Sequence, residues 1–178
     1  MTLPERLVEL HEALAAEELP HAFGGAIALA YWTLDPRGTS DIDVNIFVPA
    51  VDCAAALRAL PAGIAQPAET AAVIHRDGQT RLWWDETPVD VFLNTTAFHD
   101  HVAERIRWEP FAGTTVPFLG CSDLAVFKAS FDRTKDWADV EEMLAAGTLD
   151  LDRVLGVLVR YLGPNDPRVA RLLDLAHP

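Results

Sequence analysis

The sequence predicts an α/β (α+β) fold, in which a mixed sheet is flanked by helices and followed by a C-terminal helical segment. Apolar and polar residues alternate from Asp41 to Val48, which is the period of a half-buried strand. From residue 122 onward, apolar residues recur at helical spacing instead. The chain has 178 residues, half of them hydrophobic, so it is long enough to bury a sizeable core. We expect an α/β core over residues 1–120 and a helical segment over residues 121–178 that packs on it.

The N-terminal elements are predicted from caps and turn residues. Thr2 is placed to cap a helix with a proline in its first turn, and leucines recur at near-helical spacing until Pro20. A brief strand at 21–23 and a helix at 26–34 follow. A turn at 35–38 then leads into the alternating strand.

The middle of the chain predicts more strands than helices. Asp77-Gly78 between two such strands is a strong hairpin signal, so these two strands are expected to be antiparallel neighbours. The predicted elements are a helix at 51–60, strands at 71–75, 79–84 and 89–93, a helix from 97 to about 107, and a short hairpin or extended connection at 111–118.

The last third of the chain is predicted to be helical. Candidate caps precede the apolar runs, and Gly147 is a candidate helix stop. The predicted helices run from Ser122 or Asp123 to Ala129, from Asp136 to Ala145, from Leu151 to Tyr161, and from Asn165-Asp166-Pro167 to Leu175.

Two carboxylates leave the same face of the alternating strand. Asp41 and Asp43 are spaced i, i+2, which puts about 6–7 Å between them at the rise of a strand. Like charges at this separation repel one another unless a cation lies between them, and a hard ion such as Mg²⁺ takes carboxylate oxygens as ligands. An isolated pair of this kind is more often a solvated strand end, so the neighbouring loop matters.

That loop is a glycine pair, Gly24-Gly25, which ends a short apolar segment and opens an alanine-rich helix. Without Cβ atoms, backbone amides at the start of a helix can approach an anion closely. A loop able to hold phosphate, beside paired acids, indicates metal-assisted phosphoryl chemistry.

A third carboxylate interrupts a predicted core strand. Asp90 stands between Val89 and Val91 in an otherwise apolar run. A buried carboxylate without a partner is costly, so Asp90 needs one. The alternative interpretation is an aspartate at the mouth of a strand that caps a loop.

These elements together resemble the polymerase-β-like nucleotidyltransferase superfamily. The resemblance is carried by Gly24-Gly25, a helix, and then Arg37-Gly-Thr39-Ser40-Asp41-Ile-Asp43 running into a hydrophobic strand. It implies that the glycine pair holds a nucleoside triphosphate and that Asp41 and Asp43 bind two Mg²⁺ ions. Val-Asp-Val-Phe at 89–92 is similar to the later acidic strand of the family, which implies that Asp90 is the third catalytic and metal-binding carboxylate.

One departure from the family bears on phosphate binding. Many relatives have Gly-Ser, whose hydroxyl can contact a phosphate, whereas the second position here is Gly25. Anchoring of the triphosphate would then rely on backbone amides, with Arg37, Thr39 and Ser40 as further nucleotide-binding candidates.

A second charged cluster lies in the helical segment. It runs from Asp123 through Lys128 to Arg133-Thr-Lys135-Asp136-Trp-Ala-Asp139. Lys128 follows Leu124 by four residues and falls on or near the buried side of its helix, where a lysine either snorkels or binds an anion. The alternative interpretation is a set of surface ion pairs that contribute little to stability.

This cluster resembles the helical element of the AbiEii-like branch of nucleotidyltransferases, which includes toxin components of toxin–antitoxin pairs. In that branch the lysine and the Lys-Asp pair line the active cleft. The resemblance implies that Lys128 contacts the triphosphate and that Arg133, Lys135 and Asp136 position substrate or order the cleft. It also implies a cognate antitoxin as one candidate partner.

Charge and cysteine usage exclude several classes of protein. A formal charge of −13 and a pI near 4.7 disfavour a broad nucleic-acid surface, because such surfaces are usually basic. Cys53 and Cys121 have no metal-type spacing and suggest no disulfide framework, which fits a reducing cytoplasm. The N-terminus predicts an amphipathic helix rather than a leader, and no apolar run predicts a membrane span.

We therefore expect a cytoplasmic, Mg²⁺-dependent nucleotidyltransferase that moves a nucleoside monophosphate from an NTP to a hydroxyl acceptor. The acceptor stays open between a small molecule, a protein and tRNA. The main alternative is a catalytically silent nucleotide-binding or antitoxin-partner protein of the same fold. A third possibility is a metal-dependent phosphohydrolase, which would release phosphate without an acceptor.

Overall fold

The computed structural model describes residues 1–177 and divides the chain into two compact units. The first unit comprises Met1–Gly25 and Gly38–Leu119, and the second comprises Ala26–Arg37 and the chain from Gly120 onward. The predicted mixed α/β fold with a C-terminal helical segment is confirmed. Within residues 1–177, no helix is long and apolar enough to cross a bilayer.

The first unit is built on a mixed sheet that has seven strands among the described residues. The strands are β1 (His21–Phe23), β2 (Ile42–Pro49), β3 (Ile64–Ala65), β4 (Gln79–Trp84), β5 (Thr87–Asn94), β6 (Arg107–Phe111) and β7 (Thr114–Phe118). Their order across the sheet is β3-β4-β5-β2-β1-β7-β6. β2 is parallel to β5 and β1 is parallel to β7, and the other neighbours are antiparallel.

β2 is more buried than its alternation predicts, because Asn45 and Phe47 on the face of Asp43 are buried as well. On one face, three apolar side chains are fully buried and lie in register with apolar residues of β5: Ile42 with Val89, Val44 with Val91, and Ile46 with Leu93. The other face carries Asp43 and Asn45 on β2 and Asp90 on β5. Burial of the apolar face therefore fixes the direction in which the acids point.

Helices belong to both units. They are α1 (Leu3–Ala16), α2 (Gly25–Thr33), α3 (Ala54–Ala59), α4 (Thr70–Asp77), α5 (Ala97–Ala103), α6 (Cys121–Phe131), α7 (Thr134–Ala145), α8 (Leu151–Leu162) and α9 (Pro167–Ala176). The first unit holds α1, α3, α4 and α5, whereas α2 from Ala26 onward and α6 to α9 form the second unit.

The predicted N-terminal helix is confirmed together with its cap. Thr2 accepts a hydrogen bond from the Glu5 backbone, and the Glu5 carboxylate accepts one from the Thr2 backbone, which is a complete capping box. The leucines at positions 7, 10 and 14 are fully buried. The guanidinium of Arg6 lies over the Trp84 ring of β4 at 5.9 Å and bonds Asp85 at 2.6 Å, which fastens α1 to this end of the sheet.

The predicted strand at 71–75 is wrong, because these residues lie in the helix α4. Thr70 and Ile74, four residues apart, are the buried side chains of this helix. Gly78 has a φ of +71° and ends the helix, so it acts as a C-cap and not as part of a hairpin turn. The hairpin predicted at Asp77-Gly78 is therefore also wrong. The antiparallel partners of β4 are β3 and β5.

The structure corrects the predicted end of α5 and the predicted start of the hairpin that follows it. The helix predicted from 97 to about 107 ends at Ala103, and β6 begins at Arg107. The hairpin that was one of two alternatives for 111–118 is present, formed by β6 and β7. Its two turn residues, Ala112 and Gly113, both have positive φ, as a type I′ turn requires.

The second unit is helical, as the pattern of the last third predicts. α6 begins at Cys121, and its N-cap residue is Gly120, which lies two or three residues before the predicted caps Ser122 and Asp123. Asp150 caps α8 and Asp166 caps α9, each through a side-chain hydrogen bond to the backbone. Asp132 has a φ of +57° and ends α6, so that α7 follows almost at once.

Candidate active site

Two of the predicted acids lie side by side in the sheet. Asp43 on β2 and Asp90 on β5 are register partners in a parallel pair, so their Cα atoms are about 5 Å apart in neighbouring strands. Asp41 precedes β2 by one residue and lies two residues from Asp43. All three are partly buried in the first unit.

An arginine joins this face from the next strand. Arg81 on β4 is the antiparallel partner of Asp90. Its Nε donates to Asp90 Oδ1 at 2.7 Å and its Nη2 donates to Asp90 Oδ2 at 2.6 Å. The same Nη2 lies 3.8 Å from an Asp41 carboxylate oxygen. The hydrogen bonds to Asp90, followed by the charges of Asp90, Asp41 and Asp43, raise the pKa of Arg81 above its usual value.

The side chains of Asp90 and Arg81 differ in their exposure to solvent. The side chain of Asp90 is 18% exposed, whereas that of Arg81 is 52% exposed. The carboxylate is thus held in the sheet while the guanidinium reaches it from the solvent side. Asp90 has the partner that the sequence required, and the partner comes from the protein itself.

The glycine pair contacts the same acids. The Gly24 amide donates to the Asp43 carbonyl at 2.9 Å. Gly25 has a φ of +60°, and a Cβ added to it would lie 1.9 Å from Asp43 Oδ2. Gly25 therefore cannot carry a side chain while Asp43 keeps this position. α2 begins at this glycine, so the helix start and the Asp43 carboxylate are adjacent.

Thr39 supports the first acid of the pair. Its hydroxyl donates to the Asp41 carboxylate and accepts a hydrogen bond from the Asp41 amide at 3.4 Å. Ser40, between them, is exposed. The structure thus brings Asp41, Asp43, Asp90 and the glycine pair together within the first unit, with Thr39 next to Asp41.

The remaining predicted residues form a separate cluster within the second unit. Lys128 is buried, as its helical position predicts, and its ammonium donates to Asp139 and lies 4.0 Å from Asp136. The guanidinium of Arg37 also binds Asp139 and lies 3.3 Å from Glu142. Two cations therefore share the Asp139 carboxylate.

The second half of this cluster surrounds Asp136. Arg133 donates to Asp136 through Nε at 2.6 Å and through Nη2 at 3.1 Å. The Asp136 side chain is only 2% exposed. Lys135, on the first turn of α7, is exposed. Three basic and three acidic side chains of this cluster, those of Arg37, Lys128, Arg133, Asp136, Asp139 and Glu142, balance one another in formal charge.

The donor set of the first unit suits a hard divalent cation. Asp43 and Asp90 present carboxylates from adjacent strands on one face, and Asp41 stands at the mouth of that face. In the conformation described for residues 1–177, however, no three acidic, histidine or cysteine side chains are gathered tightly enough to enclose an ion. Arg81 holds both oxygens of Asp90. The ligand types and strand register fit Mg²⁺, and the side-chain arrangement is that of a guanidinium-bound state.

Sequence reasoning missed Arg81 and Asp139 as site residues. Once β4 and β5 are paired through a turn at residues 85 and 86, position 81 faces position 90. The predicted strand bounds, 79–84 and 89–93, leave four residues for the connection and do not show this pairing. Asp139 follows Asp136 by three residues on α7, the spacing that puts both on the side facing Lys128.

Sequence comparisons find no match for the chain, and a structural comparison finds a similar protein of low sequence identity. No protein-family model and no curated protein matches the chain. Among solved structures, the chain is similar to an antigenic nucleotidyltransferase-like protein from Paracoccidioides brasiliensis, with a TM-score of 0.49 and 14% sequence identity. The similarity covers 95% of this chain and 92% of that chain.

Proposed function

We propose that the protein is a Mg²⁺-dependent nucleotidyltransferase that transfers a nucleoside monophosphate from an NTP to a hydroxyl group of an acceptor. The observation that carries the proposal is the geometry of Asp43. It is in register with Asp90 across two parallel strands and lies against Gly25 at the start of α2. These carboxylates and Gly25, the residue at which α2 begins, thus lie together in the first unit.

Asp41, Asp43 and Asp90 are the residues that would hold the metal, as two ions in our proposal. When bound, such ions supply positive charge to the attacking and leaving oxygens of a phosphoryl transfer. Carboxylates are suitable ligands because Mg²⁺ prefers oxygen and commonly completes its shell with water and substrate phosphates.

The chain itself supplies orientation and phosphate binding in this proposal. The first amide of a helix has no acceptor within the helix, so the amide of Gly25 at the start of α2 can donate to a phosphate oxygen. Because the Gly24 amide is already bonded to Asp43, Gly24 would act by fixing the loop. Thr39 would orient Asp41 through its hydroxyl, with the neighbouring Ser40 open to contact nucleotide.

In this proposal the reaction has one transfer step. The acceptor oxygen forms a bond to the α-phosphorus, the bond from that phosphorus to the bridging oxygen breaks, and pyrophosphate leaves. The hydroxyl proton passes to a carboxylate of Asp41, Asp43 or Asp90 and from there to solvent.

The residues of the second unit keep their predicted roles as part of the proposal. Lys128 would contact the triphosphate, and Arg133, Lys135 and Asp136 would position substrate, with Arg37 as a further nucleotide-binding residue. The bonds from Arg133 to Asp136 favour an ordering role for that pair. Membership of the AbiEii-like branch and a cognate antitoxin stay predictions.

The catalytic assignment is tested by two conservative substitutions. We expect Asp43→Asn and Asp90→Asn each to lower transfer from a labelled NTP at least about 100-fold, because an amide loses the charge that a metal ligand needs. Circular dichroism should show that both variants stay folded. Full transfer by both variants would overturn the assignment.

Asp77→Asn is the matched control. Asp77 accepts the same two guanidinium hydrogen bonds from Arg76, at 2.8 and 2.6 Å, that Asp90 accepts from Arg81. It lies at the end of α4, outside the proposed site. The control should keep wild-type transfer, which separates the loss of a catalytic carboxylate from the loss of an ion pair.

One observation favours a second candidate function, a catalytically silent nucleotide-binding protein. Arg81 satisfies both oxygens of Asp90 without a metal ion. In that case the wild-type protein would bind NTP in calorimetry and transfer no label. Transfer that depends on Asp43 and Asp90 decides against it.

A further inference from the structure

Arg81 is the cation that the protein itself places among the three acids. It lies on the same face of the sheet as Asp90, bonds both oxygens of that carboxylate, and reaches within 3.8 Å of Asp41. In the pairing with Asp90, each Asp90 oxygen accepts one N–H in the fork geometry that guanidinium and carboxylate share.

The formal charges of the three acids and Arg81 determine how strongly this group attracts other cations. Asp41, Asp43 and Asp90 contribute three negative charges, and Arg81 contributes one positive charge, which leaves a formal charge of −2. Without Arg81 the same face would carry −3. The guanidinium therefore weakens the attraction of these acids for a free divalent ion.

Arg81 also limits the space through which a metal ion could approach Asp90. Nitrogen atoms of Arg81 lie 2.6–2.7 Å from both Asp90 oxygens. A Mg²⁺ ion requires oxygens at about 2.0–2.1 Å in a near-octahedral shell. Asp90 cannot become an unhindered ligand while the fork stays in place.

We propose that Arg81 hinders the binding of free divalent ions to Asp41, Asp43 and Asp90. The phosphates of an incoming nucleotide remove this hindrance by binding the guanidinium in place of Asp90. The inference rests on the proposed function, since it assumes that Asp41, Asp43 and Asp90 are metal ligands. A triphosphate is a strong partner for Arg81, because guanidinium binds phosphate in the same forked geometry and the phosphate carries more charge than one carboxylate. The side chain of Arg81 is 52% exposed, so a phosphate can reach it from solvent.

The inference predicts an order of binding. The metal alone should bind weakly, and the metal together with nucleotide should bind well. Arg81 is thus a positioning residue that acts through Asp90. Its removal should strengthen binding of the metal alone, whereas loss of a purely structural residue would weaken it or leave it unchanged.

The test is a calorimetric titration of the full chain with Mn²⁺, which substitutes for Mg²⁺. The titration is done in the absence and in the presence of an α,β-methylene NTP. We expect Arg81→Gln to bind Mn²⁺ alone about tenfold more tightly than the wild type, because one positive charge is removed beside the ligands. We expect the analogue to tighten Mn²⁺ binding in the wild type much more than in Arg81→Gln. Arg81→Lys, which keeps the charge without the fork, should fall between the two.

Arg76→Gln is the matched control, because Arg76 forms the same forked pair with Asp77 away from the acids. It should leave Mn²⁺ affinity at the wild-type value. Adding Asp43→Asn to Arg81→Gln should remove the tight Mn²⁺ site, which separates it from weak binding elsewhere on an acidic protein. Circular dichroism should confirm that each variant is folded.

The outcomes distinguish the inference from the proposed function. If Arg81→Gln binds Mn²⁺ alone no more tightly than wild type and Arg76→Gln, the inference is overturned, and the proposed function stands as long as the wild type transfers label. If neither wild type nor Arg81→Gln binds Mn²⁺ even with the analogue, both are overturned.

Discussion

Gly25 occupies a position in the candidate site that tolerates no side chain. Its φ of +60° lies in the left-handed region, and its missing Cβ leaves the space that the Asp43 carboxylate occupies. The sequence showed the glycine and its difference from Gly-Ser relatives. It did not show the reason, which is that the carboxylate of Asp43 excludes any side chain at this position.

We expect Gly25→Ala to abolish Mn²⁺ binding with nucleotide and to lower transfer at least about 100-fold, because Asp43 must move out of its position. The backbone strain of the change should lower the free energy of unfolding by about 1–2 kcal/mol. Titration and denaturant unfolding measure the two effects.

Gly113→Ala isolates the strain. Gly113 has a φ of +86°, and a Cβ there would meet no atom within 4 Å. This variant should lose a similar amount of stability and keep transfer. Equal transfer by the two variants would contradict the placement of Gly25 beside a functional carboxylate.

His21 is a second residue whose surroundings predict a measurable effect. It is 4% exposed, and its Nδ1 lies 2.7 Å from the Leu19 carbonyl, to which it donates. Its Nε2 lies 2.8 Å from Nδ1 of His11, so it accepts there when both rings are neutral. Burial lowers the pKa of His21 to about 4. The folded protein thus keeps this ring neutral at a pH where an exposed histidine is charged.

The lowered pKa predicts loss of stability in acid. The unfolded chain takes up the proton near pH 6.5 and the folded chain does so only near pH 4, so stability is complete above pH 6.5 and falls as the pH drops toward 4. The contribution is about 3 kcal/mol over that range. Denaturant unfolding at pH 7 and pH 4 should show a smaller loss for His21→Gln than for the wild type. His101→Gln, at an exposed position, should behave as wild type, and equal losses in all three proteins would contradict the assignment.

At the scale of elements, the pairing of β4 and β5 determines the surroundings of Asp90. The alternation of β2 and β5 was readable from the sequence because one face of each is buried. The type of the element at 71–75, which precedes β4, could not be predicted in this way. The apolar run at 71–75 is too short to separate a strand from a helix by periodicity, and Asp77-Gly78 fits both a hairpin and a helix end. Gly78 has the same positive φ in either case, so only tertiary structure decides.

Lys128 on α6 and Asp139 on α7 link two neighbouring helices of the second unit. Lys128→Met should lower the free energy of unfolding by about 3 kcal/mol, because a partly compensated acid remains among buried groups. The double variant Lys128→Met/Asp139→Leu should recover part of that loss, because apolar residues replace both members of the pair while the half-exposed Arg37 keeps Glu142 as a partner. Denaturant unfolding measures both changes.

The same pair of variants tests the proposed contact between Lys128 and the triphosphate. We expect the double variant to regain stability and still bind the α,β-methylene NTP at least about tenfold more weakly, because a positive charge for phosphate is missing. If nucleotide affinity returns together with stability, Lys128 has a structural role only.

At the scale of the whole molecule, the net charge limits which acceptors the proposed transfer could use. The formal charge of −13 opposes a broad grip on polynucleotide phosphates. Small hydroxyl compounds and proteins are the acceptor classes that this charge tolerates best, so they should be tested first.

The class of fold could be predicted from the sequence, because alternation, caps and helical periodicity all depend on local pattern. The division into units, in which Ala26–Arg37 belongs with the C-terminal helices, depends on tertiary contacts that no local pattern records. The candidate acids were found as isolated motifs. Their charge partner Arg81 required the register of a strand pair.

The most direct measurement compares two labels on the same NTP. The wild-type protein is incubated with Mg²⁺, candidate acceptors, and NTP labelled at either the α or the γ phosphate. We expect the α label to join an acceptor while the γ label leaves as pyrophosphate in equal amount, and Asp43→Asn to do neither. Release of the γ label as free phosphate with no transfer of the α label, or no reaction of either label in the wild type, would contradict nucleotidyl transfer.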